Sequence, residues 1–292
     1  MQWDTEKYTK HSQMQFKIGN LAIDKLNPKP GENILDLGCG IGNLTTKIAQ
    51  LVENGKVTAI DIDDKMIASV KQLIKEKRID NINVLRCSGT EISYKHTFDA
   101  VFSNIVIHWI RDLNLLFKKL HSALIESGRL TIASLYTDPN NPLEIEPKEN
   151  QLTKISHIEL NFLKDFIKDG HYKDILTLQE FQEYQPKVNK EIVYKTYTVD
   201  EIRDIIENAG FNNIDIETRQ FEISFNDLEL FLDYRSSNLW IYFLAYFPED
   251  KRPAVISKLK HLIRDKWYEI PEEKKEFPVK EKWPVIFISA KK

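Results

Sequence analysis

Several things are scarce in this chain of 292 residues, and each absence excludes something. There are two cysteines, Cys39 and Cys87. A disulfide framework is excluded. One bridge stays open in principle, but two thiols in so long a chain fit a reducing, cytoplasmic setting better. No run of 18 apolar residues occurs, so no membrane-spanning helix is expected. The first residues, Met1-Gln2-Trp3-Asp4-Thr5-Glu6-Lys7, lack the basic-then-apolar order of a signal peptide. Neither sign of charge dominates: 41 Lys and Arg face 44 Asp and Glu. With no basic excess to neutralise phosphate backbones, nucleic acid is not the expected partner. The seven histidines show no H-E-x-x-H spacing, and no metal is expected. Glycine is rare too, at ten residues, yet three of the ten fall within five positions.

What is present is a regular alternation. Residues 11–27 read as an amphipathic helix that ends before Pro28 and Pro30. Asn33–Leu37 reads as a strand and Asn43–Val52 as a helix. Lys56–Asp61 is a strand, and Asp64–Lys77 a helix. Ile82–Cys87 and Phe98–Asn104 are strands, Leu113–Leu124 a helix, Gly128–Leu135 a strand. Such alternation predicts βαβ units, and hence an α/β, doubly wound, mostly parallel sheet covered on both faces. From 137 to about 190 the pattern stops, and helical stretches such as Ile155–Lys168 suggest an inserted lid. Thr198-Val-Asp-Glu201 is a capping-box signal opening a helix that Gly210 closes. Phe211–Thr218 and Trp283–Ala290 read as strands, Asn226–Tyr268 as helical and aromatic-rich. The expected division is 1–136 for the N-terminal helix and core, 137–195 for the insertion, and 196–292 for the rest. The charge-rich stretch Glu269–Lys282 is read as a solvated loop.

The glycines stand in Ile34-Leu-Asp-Leu-Gly-Cys-Gly-Ile-Gly42, a buried strand running into a sharp turn. Glycine lets the backbone turn there and lets a ligand approach main-chain atoms. Asp36 precedes the turn, where a carboxylate can face a cation. Asp61 ends the second strand, placed to accept hydrogen bonds from ribose hydroxyls. A dinucleotide site shares that ribose device, but its G-x-G-x-x-G fingerprint needs a third glycine where Asn43 stands. The glycine falls at Gly42 instead, which favours a nucleoside without a pyrophosphate. Cys39 lies in the turn with nothing beside it to activate a thiolate.

Asp36-Leu-Gly-Cys-Gly-Ile-Gly42, Asp61-Ile-Asp63 and Phe98-Asp-Ala-Val-Phe-Ser-Asn104 resemble, in order and spacing, the motifs of class I S-adenosylmethionine-dependent methyltransferases. The resemblance implies a seven-stranded Rossmann-like sheet and S-adenosyl-L-methionine as cofactor. It implies that Gly38, Cys39 and Gly40 line the methionine part, with Asn104 nearby, and that Asp61 holds the ribose. Ile62, and Asp63 or Met66, would lie beside the adenine. Many members place an acidic residue after the third strand against the adenine amino group. Here Gly89 stands in that place, with Ser88 or Thr90 to share the contact.

A narrower resemblance rests on Trp3-Asp4, Tyr8, Ser12 and Gln15, on His108-Trp109, and on Phe277-Pro278 with Val285–Lys291. These resemble the trans-aconitate and juvenile hormone acid methyltransferases, which form methyl esters of small carboxylic acids. By that likeness Tyr8 covers the cofactor, and Gln15 with Trp109 touches the substrate carboxylate. A carboxylic acid is ionised at neutral pH, so no general base is needed. His108 is read either as a base or donor to a substrate oxygen, or as part of the pocket wall. Two alternatives accompany carboxyl methylation. One is C-, N- or phenolic O-methylation of a small metabolite, with His108 as base. The other is a cofactor-binding module without activity. Ser103-Asn-Ile-Val106 is not the Asn/Asp-Pro-Pro-Tyr/Phe sequence of enzymes that methylate base amines.

Overall fold

The structure is a computed structural model that describes residues 13–137, 196–238, 249–269 and 279–292. Helix α1 (Gln13–Leu26) opens it. Its buried positions Gln15, Ile18, Gly19, Ala22, Ile23 and Leu26 recur every three or four residues, so one stripe packs and the other faces water. Strand β1 (Asn33–Leu37) is buried at every position after the first, as expected for a strand covered on both faces. Then follow α2 (Asn43–Val52), β2 (Lys56–Asp61), α3 (Asp64–Lys77) and β3 (Ile82–Arg86). Next come β4 (Phe98–Asn104), a 3-10 turn at Ile107–Trp109, and α4 (Leu113–Ala123). β5 (Leu124–Leu135), α5 (Val199–Asn208), β6 (Asn212–Phe225), α6 (Leu228–Asn238), α7 (Arg252–Glu269) and β7 (Val279–Lys291) complete the described elements.

The seven strands form one sheet in the order β3-β2-β1-β4-β5-β7-β6. β1 to β5 pair in parallel, and β7 runs antiparallel to β5, from Arg129 opposite Lys291 to Leu135 opposite Val285. The seven-stranded, mostly parallel sheet is thus present. The chain builds outward from β1 to β3, then returns to place β4 on the other side of β1. Between β1 and β4 the winding reverses, and a crevice opens beyond the carboxyl ends of those strands.

The ends of elements differ from the sequence reading. Cys87 lies just past β3, where its amide donates to Asp61 O at 2.9 Å. β5 begins at Leu124, directly after α4, rather than at Gly128. β6 runs on to Phe225, and β7 takes in Val279–Lys282, part of the stretch expected as a solvated loop. Within the expected helical stretch 226–268, the described residues form α6, a 3-10 turn at Glu249–Lys251 and α7; residues 239–248 lie outside the described residues. The capping box is present: Thr198 accepts from Glu201 N, and the Glu201 carboxylate accepts from Thr198 N at 2.8 Å.

By contacts the chain divides into two compact units. One takes Gln2–Asn140, Lys195–Phe221 and Trp283–Lys292; the other takes Asn141–Tyr194 and Glu222–Lys282 with Met1. Residues 196–292 therefore contribute to both. In the second unit Phe225 packs on Phe231 and Tyr234, and Arg264 makes a two-point ion pair with Glu229. In the first, Arg129 holds the end of α1: it donates to Leu26 O and Asn27 O and pairs with both carboxylate oxygens of Glu32. The lid stretch 138–195 and the aromatic residues 240–247 lie outside the described residues.

Candidate active site

The crevice between β1 and β4 holds an open cleft. Its wall comes from three places: Asp36 and residues 38–44 after β1, Phe102 and Asn104 at the end of β4, and Gln15 and Phe16 on α1. Helix α1 precedes the sheet in sequence, and it reaches this wall because the side-chain amide of Asn104 donates to Gln15 O at 2.9 Å.

The turn needs its glycines for two different reasons. At Gly38 φ is +74°, and a Cβ would stand 2.3 Å from Val106 Cγ2, so the chain after β4 packs where a side chain would be. At Gly40 φ is +54°, and no atom lies within 4 Å of the Cβ position, so the space beside this backbone is open to a ligand. Gly42 caps α2 without a side chain, leaving the first N–H groups of that helix uncapped beside the cleft.

Two carboxylates organise the floor. Asp36 is buried, and its Oδ2 accepts a 2.6 Å hydrogen bond from Thr45 Oγ1. Burial pushes its carboxyl up to about 7, against the lowering effect of the Thr45 bond, and the negative charge of Asp61 adds to the rise. Asp61 ties the turn to the second strand: Oδ2 accepts from Gly40 N and Oδ1 from Asp63 N, both at 3.0 Å. Burial raises its carboxyl as well, and these backbone bonds offset part of that. Asp63 caps α3 through Oδ1, which accepts from Lys65 N and Met66 N. Ile62 is one of the most exposed large apolar residues described, 64% accessible beside the Asp61 carboxylate, whereas Met66 is buried.

Beyond β3, Ser88 and Thr90 share a 3.0 Å hydroxyl contact, and the Glu91 carboxylate accepts from Ser88 N. A Cβ at Gly89 would lie 2.7 Å from Leu37 Cδ1 and 2.8 Å from Leu116 Cδ1. The backbone at Gly89 sits directly on core leucines.

His108 is 2% exposed, with Nδ1 3.0 Å from Ser134 Oγ and its ring tilted against Trp109 at 5.3 Å. Burial pushes its imidazole down to about 3, so it is neutral at physiological pH. The Cys39 thiol lines the cleft, and burial holds it well above its ordinary pKa, so it is not a nucleophile there. Both cysteines are free.

Of the expected residues, the cleft therefore gathers Gln15, Asp36, Gly38, Cys39, Gly40 and Asn104. Asp61 touches it through Gly40. Ile62, Met66, Ser88, Gly89, Thr90, His108 and Trp109 are not among its lining, and Tyr8, with Trp3, Asp4 and Ser12, lies outside the described residues. Sequence reading missed Thr45, Phe16 and Phe102. Thr45 carried one usable signal: it stands nine residues after Asp36, in the first turn of the helix the glycines open. Among the described residues no helix is long and apolar enough to cross a membrane, and no cluster could hold a metal ion.

A family model described as a methyltransferase domain matches residues 28–210, more than half of the chain. The malonyl-[acyl-carrier protein] O-methyltransferase of Bacillus cytotoxicus is 30% identical over 132 residues, 44% of this chain and 45% of that protein. Phosphoethanolamine N-methyltransferase 1 of Zea mays is 32% identical over 123 residues, 42% of this chain and 24% of that protein. The chain thus spans half or less of the length of these two relatives. Among solved structures, the YcgJ protein of a Bacillus matches with a TM-score of 0.59 at 13% identity, covering 95% of this chain and 98% of that one. That likeness shows the fold. With the glycine turn, the carboxylate that ends β2 and the sheet order in place, the chain belongs to the methyltransferase-domain family, the class I S-adenosylmethionine-dependent methyltransferases.

Proposed function

We propose that the protein transfers a methyl group from S-adenosylmethionine to a small molecule, and that the acceptor is a carboxylic acid converted to its methyl ester. The described residues fit the cofactor. The backbone at Gly40 is open to a ligand, and the lining carries the carboxylate of Asp36 and the amides of Gln15 and Asn104 but no Lys or Arg. Such a wall suits a cation and hydroxyl donors, and offers no cationic side chain to a pyrophosphate. Gly38, Cys39 and Gly40 would run along the methionine part, and Asp61 would take the ribose hydroxyls on its remaining lone pairs. Ile62 and Met66, with Ser88, Gly89 and Thr90, would flank the adenine, and Tyr8 would cover the site. The uncapped start of α2 would receive the cofactor's carboxylate. Bound there, the cofactor supplies a methyl group on a positively charged sulfur.

The observation that carries the carboxyl reading is the state of His108. A neutral, fully buried imidazole with a pKa near 3 is a poor general base, so an acceptor already ionised at pH 7 suits this site better than one that must lose a proton. Trp109, tilted against that ring, would form the acceptor's wall. The Bacillus relative, named as an O-methyltransferase of malonyl-[acyl-carrier protein], supports the same reading. A second reading, an amine acceptor, draws support from the maize relative. The test is transfer of labelled methyl from S-adenosylmethionine to a panel of aliphatic, terpenoid and tricarboxylic acids, followed by mild base. Label released as methanol is the expected result. Label that resists base would favour nitrogen or carbon, and no transfer to any acid would sink the carboxyl reading.

A further inference from the structure

We propose that the side-chain oxygens of Gln15 and Asn104 form an acceptor pair for the ammonium group at the amino-acid end of the cofactor, so that Gln15 serves the cofactor rather than the substrate carboxylate. The assignment rests on the cofactor reading above. Both residues line the glycine cleft. Gln15 is 9% exposed, and its Oε1 is buried with no donor in reach; the Oδ1 of Asn104 is in the same condition. The orientation of the Asn104 amide follows from its partner. Its nitrogen donates to a backbone carbonyl, Gln15 O, which can only accept, so its oxygen is the atom left unpaired.

Two unsatisfied carbonyl oxygens in one wall are costly, because a buried acceptor without a donor has lost its water for nothing. Their shared need is a donor. Asp36, buried in the same wall, has the same need for positive charge. An ammonium group brings three N–H donors and one positive charge, which matches two amide oxygens and a carboxylate. A carboxylate in that place would face the like charge of Asp36 and leave both amide oxygens without a donor. The terminal torsion of Gln is broad, so the Gln15 amide can turn its oxygen toward the cleft at little cost, while the Asn104 amide keeps the orientation its bond to Gln15 O sets.

The test compares two ligands on the full chain by calorimetry. S-adenosylhomocysteine carries the ammonium group; 5′-methylthioadenosine has the same nucleoside and sulfur without the amino-acid end. Gln15→Leu and Asn104→Ala are each expected to weaken S-adenosylhomocysteine by ~10-fold or more, as for a lost hydrogen bond to a charged group, and to leave methylthioadenosine within about 2-fold. Gln15→Glu, which keeps an acceptor oxygen, is expected to restore binding of the homocysteine ligand. Equal loss of both ligands would mean that helix α1 has merely shifted, and would overturn the assignment. Unchanged affinity for S-adenosylhomocysteine with a raised KM for the methyl acceptor would return Gln15 to the substrate side. If the unaltered protein bound neither nucleoside, the cofactor reading would fall, and this assignment with it.

Discussion

The amide of Gly40 donates to Oδ2 of Asp61 at 3.0 Å, across 21 residues of chain, and so fastens the glycine turn to the end of the neighbouring strand. One carboxylate thereby shapes the turn and, on the proposed reading, also takes the ribose. Asp61→Ala is expected to weaken S-adenosylhomocysteine by ~10-fold or more, since both the ligand contact and the turn geometry are lost. Asp61→Asn keeps one acceptor and should fall between. Calorimetry with the three proteins decides the matter; an unchanged dissociation constant in Asp61→Ala would remove Asp61 from the ribose.

Asp36 should make cofactor binding depend on pH. Its folded pKa of about 7 lies above the ordinary value, so the free protein carries a proton there at lower pH. A cationic ligand prefers the ionised form. Affinity is expected to rise as pH increases from 6 to 8 and then level off, with proton release on binding near pH 6.5 visible as a buffer-dependent heat.

The same group should act on stability with the opposite sense. A carboxyl whose folded pKa is raised contributes most below its unfolded pKa, and that contribution is lost as pH climbs through 7. Asp36→Asn is therefore expected to raise Tm at pH 8, by a few degrees for each ~1 kcal/mol regained, and to change little at pH 4. It should lose cofactor affinity at the same time. Thermal melts at the two pH values test the sign; a lower Tm at pH 8 would contradict it.

His108 should leave no mark on the pH–rate profile between 5 and 8, because burial keeps it neutral throughout that range. A limb near pH 6.5 that vanishes in His108→Gln would show that the imidazole titrates during turnover, and would reopen the amine or phenol acceptor.

Arg129 fastens the end of α1 to the loop before β1. Burial would raise the Glu32 carboxyl, but the hydrogen bonds from Arg129 and from the Lys29 amide, with their charges, hold it below the usual range. Arg129→Ala is expected to cost ~1–3 kcal/mol, as it leaves Leu26 O and Asn27 O without this donor. Arg129→Lys, lacking the planar fork, should recover only part. The depressed Glu32 pKa adds stability above its unfolded value, and that part is lost as pH falls through the folded value. Urea titrations at pH 7 and at pH 3 should therefore show the penalty shrinking in acid.

Much of this was legible in the sequence because the signals are local. The β1–α2–β2–α3 stretch was read to the residue, since period and glycine turn agree there, and the Thr198–Glu201 box needs only four residues. The ends of β5, β6 and β7 were not. Whether Leu124–Ile125 or Val279–Lys282 is strand depends on a partner far away in sequence, and no local pattern reports that partner. In the site, the glycines and the two aspartates announced themselves. Gln15 did so through a family likeness that points to the substrate, whereas its unpaired oxygen and its place in the cleft are visible only in three dimensions.

The order of the sheet also constrains how the molecule is assembled. β6 precedes β7 in the chain, yet β7 is its neighbour and lies between it and β5. During synthesis from the N-terminus, β6 lacks its native neighbour until β7 has emerged. The partly made chain therefore carries both an open β5 edge and an orphan strand. An unpaired edge and an unpaired strand present together invite misplaced pairing until β7 arrives.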